Sequence, residues 1–190
     1  MKLFFDTETT GKAIFGMRPD APGQPRLVQL VAILTDDNGE EQNAVNFLIK
    51  PMGFTIPTEA SAVHGYTTEI ATEFGLAASV VVSMFVEMAR VAKTIHAYNF
   101  DFDRLVMENE ISRTQPMPNP FENKDCICEM KLMTRHCKIP GRYGDYKWPN
   151  LTEAHTHAYG KGFEGAHDAM ADVRAMIAVH KWRIAQTKAN

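Results

Sequence analysis

The chain has 190 residues, 45% of them apolar and 23% charged, with 20 Lys and Arg against 23 Asp and Glu for a net charge of −3. That length fits roughly one domain, able to bury about 70% of its unfolded surface, and the composition excludes a disordered or collagen-like chain. The balance of charge argues against a protein that coats nucleic acid through bulk positive charge, but not against an enzyme that holds a strand locally.

In chain order, residues 2–6 form a short apolar run ending in an acid and predict a central strand. This start, MKLFFDTETTG, lacks the apolar stretch and small-residue cleavage site of a signal peptide. Residues 16–25, GMRPDAPGQP, read as a loop. Residues 26–35, RLVQLVAILT, are rich in β-branched residues and precede the turn signal DDNGE, so residues 43–49 become a hairpin partner. A short helix is expected over 57–63 and a longer one over 76–93, where apolar residues recur at helical spacing. Residues 94–98 predict a strand, and 99–111 a helix with Asn99 as its cap. Residues 114–123 read as a second Pro/Asn-rich loop, 125–128 as a sheet edge, and 129–136 and 151–159 as helices. The clearest helix follows Asp168, with Ala169, Val173, Met176, Ile177 and His180 on one mainly apolar stripe. The pattern defines an α/β domain over residues 1–190 that opens with a β-meander, but leaves the strand order open.

Three cysteines, Cys126, Cys128 and Cys137, form no disulfide framework, so a reducing, cytoplasmic setting is expected. No run approaches 18 apolar residues, so no membrane span is expected. Cys126-x-Cys128 and the adjacent His136-Cys137 do not make two compact ligand pairs, and free buried thiols are expected in place of zinc.

The acids carry more. Asp6 and Glu8 are two apart, and in an extended strand residues i and i+2 point to one side, so both carboxylates can converge at a strand end. Acids stay buried only when paired or bound to a cation, and hard oxygen ligands suit Mg²⁺ or Mn²⁺. A solvated strand end with a turn-capping acid is the plainer reading. In NFDFDRLVME, Asp101 and Asp103 cannot share one helical face, so at most one points into a given site. In GFEGAHDAMADV, His167 stands before the last helix and Asp172 one turn inside it. Four carboxylates and one histidine would suit two divalent cations on a phosphodiester, with the histidine taking the proton of an attacking water.

These segments resemble the DEDDh (DnaQ-like) 3′–5′ exonucleases, a family that includes polymerase proofreading subunits, RNase T and the TREX nucleases. The likeness runs from D-x-E-T-T-G at Asp6 and Glu8 to H-D-A-x-x-D at His167 and Asp172, nearly the whole chain. The middle motif departs from the common H-N-x-x-F-D: it reads Y-N-F-D-F-D, with Tyr98 in place of histidine. Matching Phe102-Asp103 to the family's F-D implies Asp103 as ligand, with Asp101 as the alternative. The resemblance implies an RNase H-like fold, a mixed five-stranded sheet of order 3-2-1-4-5 with strand 2 antiparallel, flanked by helices. It implies His167 as general base, Asp6, Glu8, Asp103 and Asp172 as ligands of two Mg²⁺ or Mn²⁺ ions, and release of 5′-nucleoside monophosphates from DNA 3′ ends. Thr9, Thr10, Phe15, His64 and Asn99 are implied at the substrate. The tract CKIPGRYGDYKWPNLTEAH is similar to stand-alone phage and bacterial exonucleases, which implies a bacterial cytoplasm or an infected host cell.

The expected partner is DNA with a free 3′ end, single-stranded or frayed. RNA processing shares the same chemistry and stands as the alternative, and a non-catalytic nucleic-acid-binding module is the reading from another class. A polymerase partner and a homodimer both stay open. Residues 124–147 carry six basic and three acidic side chains, +3 against −6 for the remainder, a basic rim or an ordinary solvated face. Tyr143, Tyr146 and Trp148 can stack on bases or pack the loop onto the core. His96, on a strand, is expected to be a satisfied structural histidine.

Overall fold

The computed structural model describes residues 1–114, 117–166 and 168–188. Five strands, β1 (Lys2–Thr9), β2 (Leu27–Thr35), β3 (Glu41–Leu48), β4 (Thr94–Ala97) and β5 (Asp125–Cys128), form one sheet in the order β3-β2-β1-β4-β5. β2 runs antiparallel to β1 and β3, while β1, β4 and β5 are mutually parallel. The expected order and the antiparallel second strand are therefore the observed ones. β1 is longer than its apolar run suggests, because Asp6 and Glu8 still pair with Val31 and Gln29 before a bulge after Glu8.

Seven helices are described: α1 (Thr58–His64), α2 (Thr68–Phe74), α3 (Ala78–Val91), α4 (Phe100–Arg113), α5 (Glu129–Cys137), α6 (Leu151–Tyr159) and α7 (Ala169–Lys188). The helix expected over 76–93 starts at Ala78, since Leu76 is engaged in a parallel bridge with Ile49. α2 was not anticipated. Its signals are short but physical: the Thr67 hydroxyl accepts the Ile70 N–H, and Gly75 ends the helix.

The sheet's period of two sorts its side chains onto two layers. Leu3 and Phe5 face α3 and α4, packing with Phe85, Val82 and Met107. Phe4, Val31 and Ile33 face α7, against Ala169, Val173 and Met176. β2 is buried along its whole length, so its sequence reads as a continuous apolar run without clean alternation. The Asp168 carboxylate accepts the Ala171 N–H at 2.9 Å and caps α7, as its sequence suggests.

A buried polar knot ties β4, α5 and α7 together. Glu129 Oε1 receives His96 Nδ1 at 2.8 Å and His180 Nδ1 at 2.7 Å, and Arg183 Nε donates to Oε2 at 3.0 Å. Burial alone would raise the Glu129 carboxyl, but the bonds from the two histidines and the Arg183 charge hold it below its ordinary value. His96 stacks on Phe4, and its Nε2 meets the Thr94 hydroxyl at 2.8 Å. It is the satisfied structural histidine that its strand position suggests.

Candidate active site

The site forms where β1 ends between α4 and α7. By the strand's alternation Asp6 and Glu8 share the α7 face with Phe4, and Asp172, one turn into α7, comes to meet them. One oxygen of each of Asp6, Glu8 and Asp172 lies within 4.8 Å of the others. Asp103 arrives from the opposite layer on α4. It is 3% exposed, accepts the Thr7 N–H at 3.1 Å and the Thr7 hydroxyl at 2.7 Å, and lines one cavity of about 170 Å³ with Asp6 and Asp172.

Crowding these acids has an electrostatic cost. Desolvation, then the charge of Asp172, raises Asp6 to about 7. Desolvation, then Asp6 and Asp172, raises Glu8 to about 8. Asp103 is raised by burial and by Asp6, against the two hydrogen bonds from Thr7. A set of hard oxygen donors that repel one another fits divalent cations such as Mg²⁺ or Mn²⁺. The His96–Glu129–His180 group is also compact. There, however, Arg183 already supplies the positive charge and the histidines bond the carboxylate directly.

The other residues singled out from the sequence separate clearly. Asp101 is not brought to the cavity: its carboxylate is 57% exposed and pairs with Lys131 on α5. At two helical positions from Asp103 it is rotated by about 200°, which corrects the alternative ligand assignment. His167 lies outside the described residues. Asn99 precedes α4 as expected but makes no side-chain capping bond; it lines the cavity instead. The Thr9 hydroxyl donates to the Gly11 carbonyl at 2.7 Å, and the Thr10 hydroxyl accepts the Arg26 N–H at 2.9 Å, so both shape the turn after β1. Thr9, Thr10 and His64 line a second groove with Glu8. His64 Nδ1 accepts the Tyr66 N–H at 3.1 Å, which leaves the ring proton on a buried Nε2 beside the Thr9 backbone. Phe15 stands 62% exposed on the loop between β1 and β2.

Two contributors were missed from the sequence. Thr7, inside D-T-E-T, steadies Asp103; its signal was a polar residue at the one inward-facing position between two acids. Tyr98 donates its hydroxyl to the carbonyls of Pro149 at 2.8 Å and Asn150 at 2.9 Å, fastening the start of α6 beside the cavity. Burial pushes its phenol well above the ordinary value, so it acts as a neutral donor. The three cysteines are free, as expected, but half-buried instead of fully enclosed.

A 3-2-1-4-5 mixed sheet with acids gathered at the end of its first strand defines an RNase H-like nuclease fold. The exonuclease family model, RNase T type, matches residues 3–180, and the chain belongs to that family, as a DEDDh-type 3′–5′ exonuclease. A relative, the uncharacterized exonuclease CP81 of Escherichia phage 186, is 33% identical over 187 residues, covering 94% of this chain and 85% of its own. Among solved structures, E. coli exonuclease I in complex with a dT13 oligonucleotide superposes with a TM-score of 0.76 at 25% identity, over 99% of this chain and 42% of that one. The zinc-bound E. coli exonuclease I–ssDNA complex gives 0.76 at 26% identity, over 98% and 41%. The chain thus spans about two fifths of the length of exonuclease I.

Proposed function

We propose that this exonuclease is a two-metal enzyme that removes 5′-mononucleotides from the 3′ end of single-stranded DNA. The observation that carries the reading is the convergence of Asp6, Glu8 and Asp172 within 4.8 Å, with Asp103 held on the adjoining wall. Asp6, Glu8, Asp103 and Asp172 would hold two Mg²⁺ or Mn²⁺ ions. Such ions, when bound, supply Lewis acidity for activating water and for stabilising charge on the scissile phosphate and the leaving 3′-oxygen.

The chain's own groups do the rest. His167 accepts the proton of the attacking water, the new P–O bond forms, and the bond to the preceding nucleotide's 3′-oxygen breaks. Thr7 keeps Asp103 from swinging out of the cavity. His64 lines the adjoining groove, where the terminal nucleotide would lie. The choice of single-stranded DNA is supported by the oligonucleotide complexes of the exonuclease I relatives.

The test is digestion of matched single-stranded DNA, duplex DNA and RNA, each labelled at either end, with Mg²⁺ or Mn²⁺. Single-stranded DNA should be fastest, with 3′ label released at once as mononucleotide and 5′ label passing through a ladder. Faster digestion of RNA would replace the substrate, and no digestion with either metal would overturn the reading.

A further inference from the structure

Residues 139–147 form a short hairpin between α5 and α6. Pro140 bridges Tyr146, the Gly141 N–H donates to the Asp145 carbonyl at 2.7 Å, and the Lys147 N–H donates to the Ile139 carbonyl at 3.0 Å. Gly141 is required for this closure, because a Cβ there would lie 2.4 Å from Asp145 Oδ1 and 2.9 Å from the Asp145 carbonyl oxygen. Lys147 Nζ reaches Glu153 at 2.6 Å and fixes the hairpin to the capping box of α6.

The hairpin and the residue after it present their aromatic rings to solvent and not to the core. Tyr143 is 86% exposed, Tyr146 50% and Trp148 62%. Arg135, Lys138 and Arg142, on the same stretch of chain, are exposed as well. Large rings left in water among cations lose the burial that normally justifies them, and this combination matches what a single nucleic-acid strand offers: π-faces to stack on and phosphates to neutralise. The connection to the site runs along the chain. Trp148 is three residues from Leu151, which lines the acidic cavity, and so lies at most about 11 Å from it along the chain. That is the rise of roughly three stacked nucleotides.

The geometry points to this hairpin as a stacking platform for the single strand that feeds the cavity, gripping nucleotides upstream of the one removed through Tyr143 and Trp148. This rests on the nuclease reading above. It adds a substrate-length preference that the carboxylate cluster alone does not supply.

The experiment compares steady-state hydrolysis of an oligothymidylate of about 20 nucleotides with that of the p-nitrophenyl ester of thymidine 5′-monophosphate, too short to reach the hairpin. Anisotropy of the same labelled oligonucleotide in Ca²⁺ runs in parallel. In the pair Tyr143→Ser and Trp148→Ser, KM for the oligonucleotide should rise about tenfold or more, with kcat and ester hydrolysis unchanged, and Phe at both positions should restore it. An unchanged oligonucleotide KM, an equal loss on both substrates, or no rescue by Phe overturns the platform. So does a change in sedimentation without a change in KM, which would assign the face to a second copy of the chain. If the parent protein hydrolyses neither substrate, the nuclease reading fails; the anisotropy arm then decides alone, and parent-like binding by the Ser pair sinks the proposal.

Discussion

Thr7 donates both its backbone N–H and its hydroxyl to one oxygen, Oδ1, of Asp103, across 96 residues of sequence. The pair joins the strand that carries two acids to the helix that carries a third, from the opposite layer of the sheet. With Oδ1 held twice, Oδ2 is the oxygen with lone pairs to offer the cavity. Geometry, not charge count, therefore separates Asp103 from its neighbour Asp101.

Replacing Asp103 by Asn should lower kcat on single-stranded DNA by about 10²-fold or more, the scale of losing one fixed electrostatic group. Asp101→Asn should stay within about twofold, because an exposed pair with Lys131 contributes little. The opposite ranking would reject the site as assigned.

The metal-free protein should lose stability as pH rises. Asp6 and Glu8 have ordinary values of 3.8 and 4.5 and folded values of about 7 and about 8, so the folded state binds more protons between those limits. Their contribution is complete below about pH 4 and is lost as pH passes through about 7–8. Melting curves in chelator should show Tm falling as pH rises and levelling off above about pH 8, less so in Asp6→Asn. Mn²⁺ should raise Tm in the parent and not in the variant. A flat chelator profile would mean that neither burial nor the neighbouring acids raise Asp6 and Glu8 as the geometry requires.

On the acid side the knot at Glu129 governs. Its carboxyl is held below its ordinary 4.5, so its stabilisation is present above that value and fades as pH falls toward the depressed one. His96, lowered from 6.5 chiefly by burial, adds an earlier loss below about 6.5 as the unfolded chain takes up the proton. Glu129→Gln should cost about 3–5 kcal/mol at neutral pH, because it strands the Arg183 charge. It should also remove the lower of the two acid steps in urea unfolding. A variant as acid-sensitive as its parent would locate that step elsewhere.

His64→Ala should act on binding more than on turnover, since His64 lines the groove beside Glu8 and stands apart from the acid cluster. An increase in KM of about tenfold with near-parental kcat is expected, the scale of losing one apolar side-chain contact. A fall in kcat alone would move His64 into the chemical step.

His167→Ala should do the reverse. A general base contributes about 10²–10⁴-fold to the rate, and that loss should fall on kcat while the affinity for DNA in Ca²⁺ is kept. Equal kcat in variant and parent would remove the proposed base.

What the sequence determined by itself is whatever a local backbone period can fix. Two residues along a strand share a face, so D-x-E placed Asp6 and Glu8 together, and Asp168 capping the last helix put Asp172 one turn inside it. The family likeness extended this to the strand order. Local periodicity could not say how α4 is rotated against β1, and so it left Asp101 and Asp103 open; packing of Phe100, Val106 and Met107 into the core turns one inward and the other toward Lys131. Nor could it see that Glu129, on a different element from both His96 and His180, would be buried between them. The same limit held for the rings of the 139–147 hairpin, which a sequence reads equally as core or platform until the turn at Gly141 closes. Burial and convergence are sums over distant segments, so only the tertiary structure decides which acids repel, which are neutralised and which side chains are left facing water.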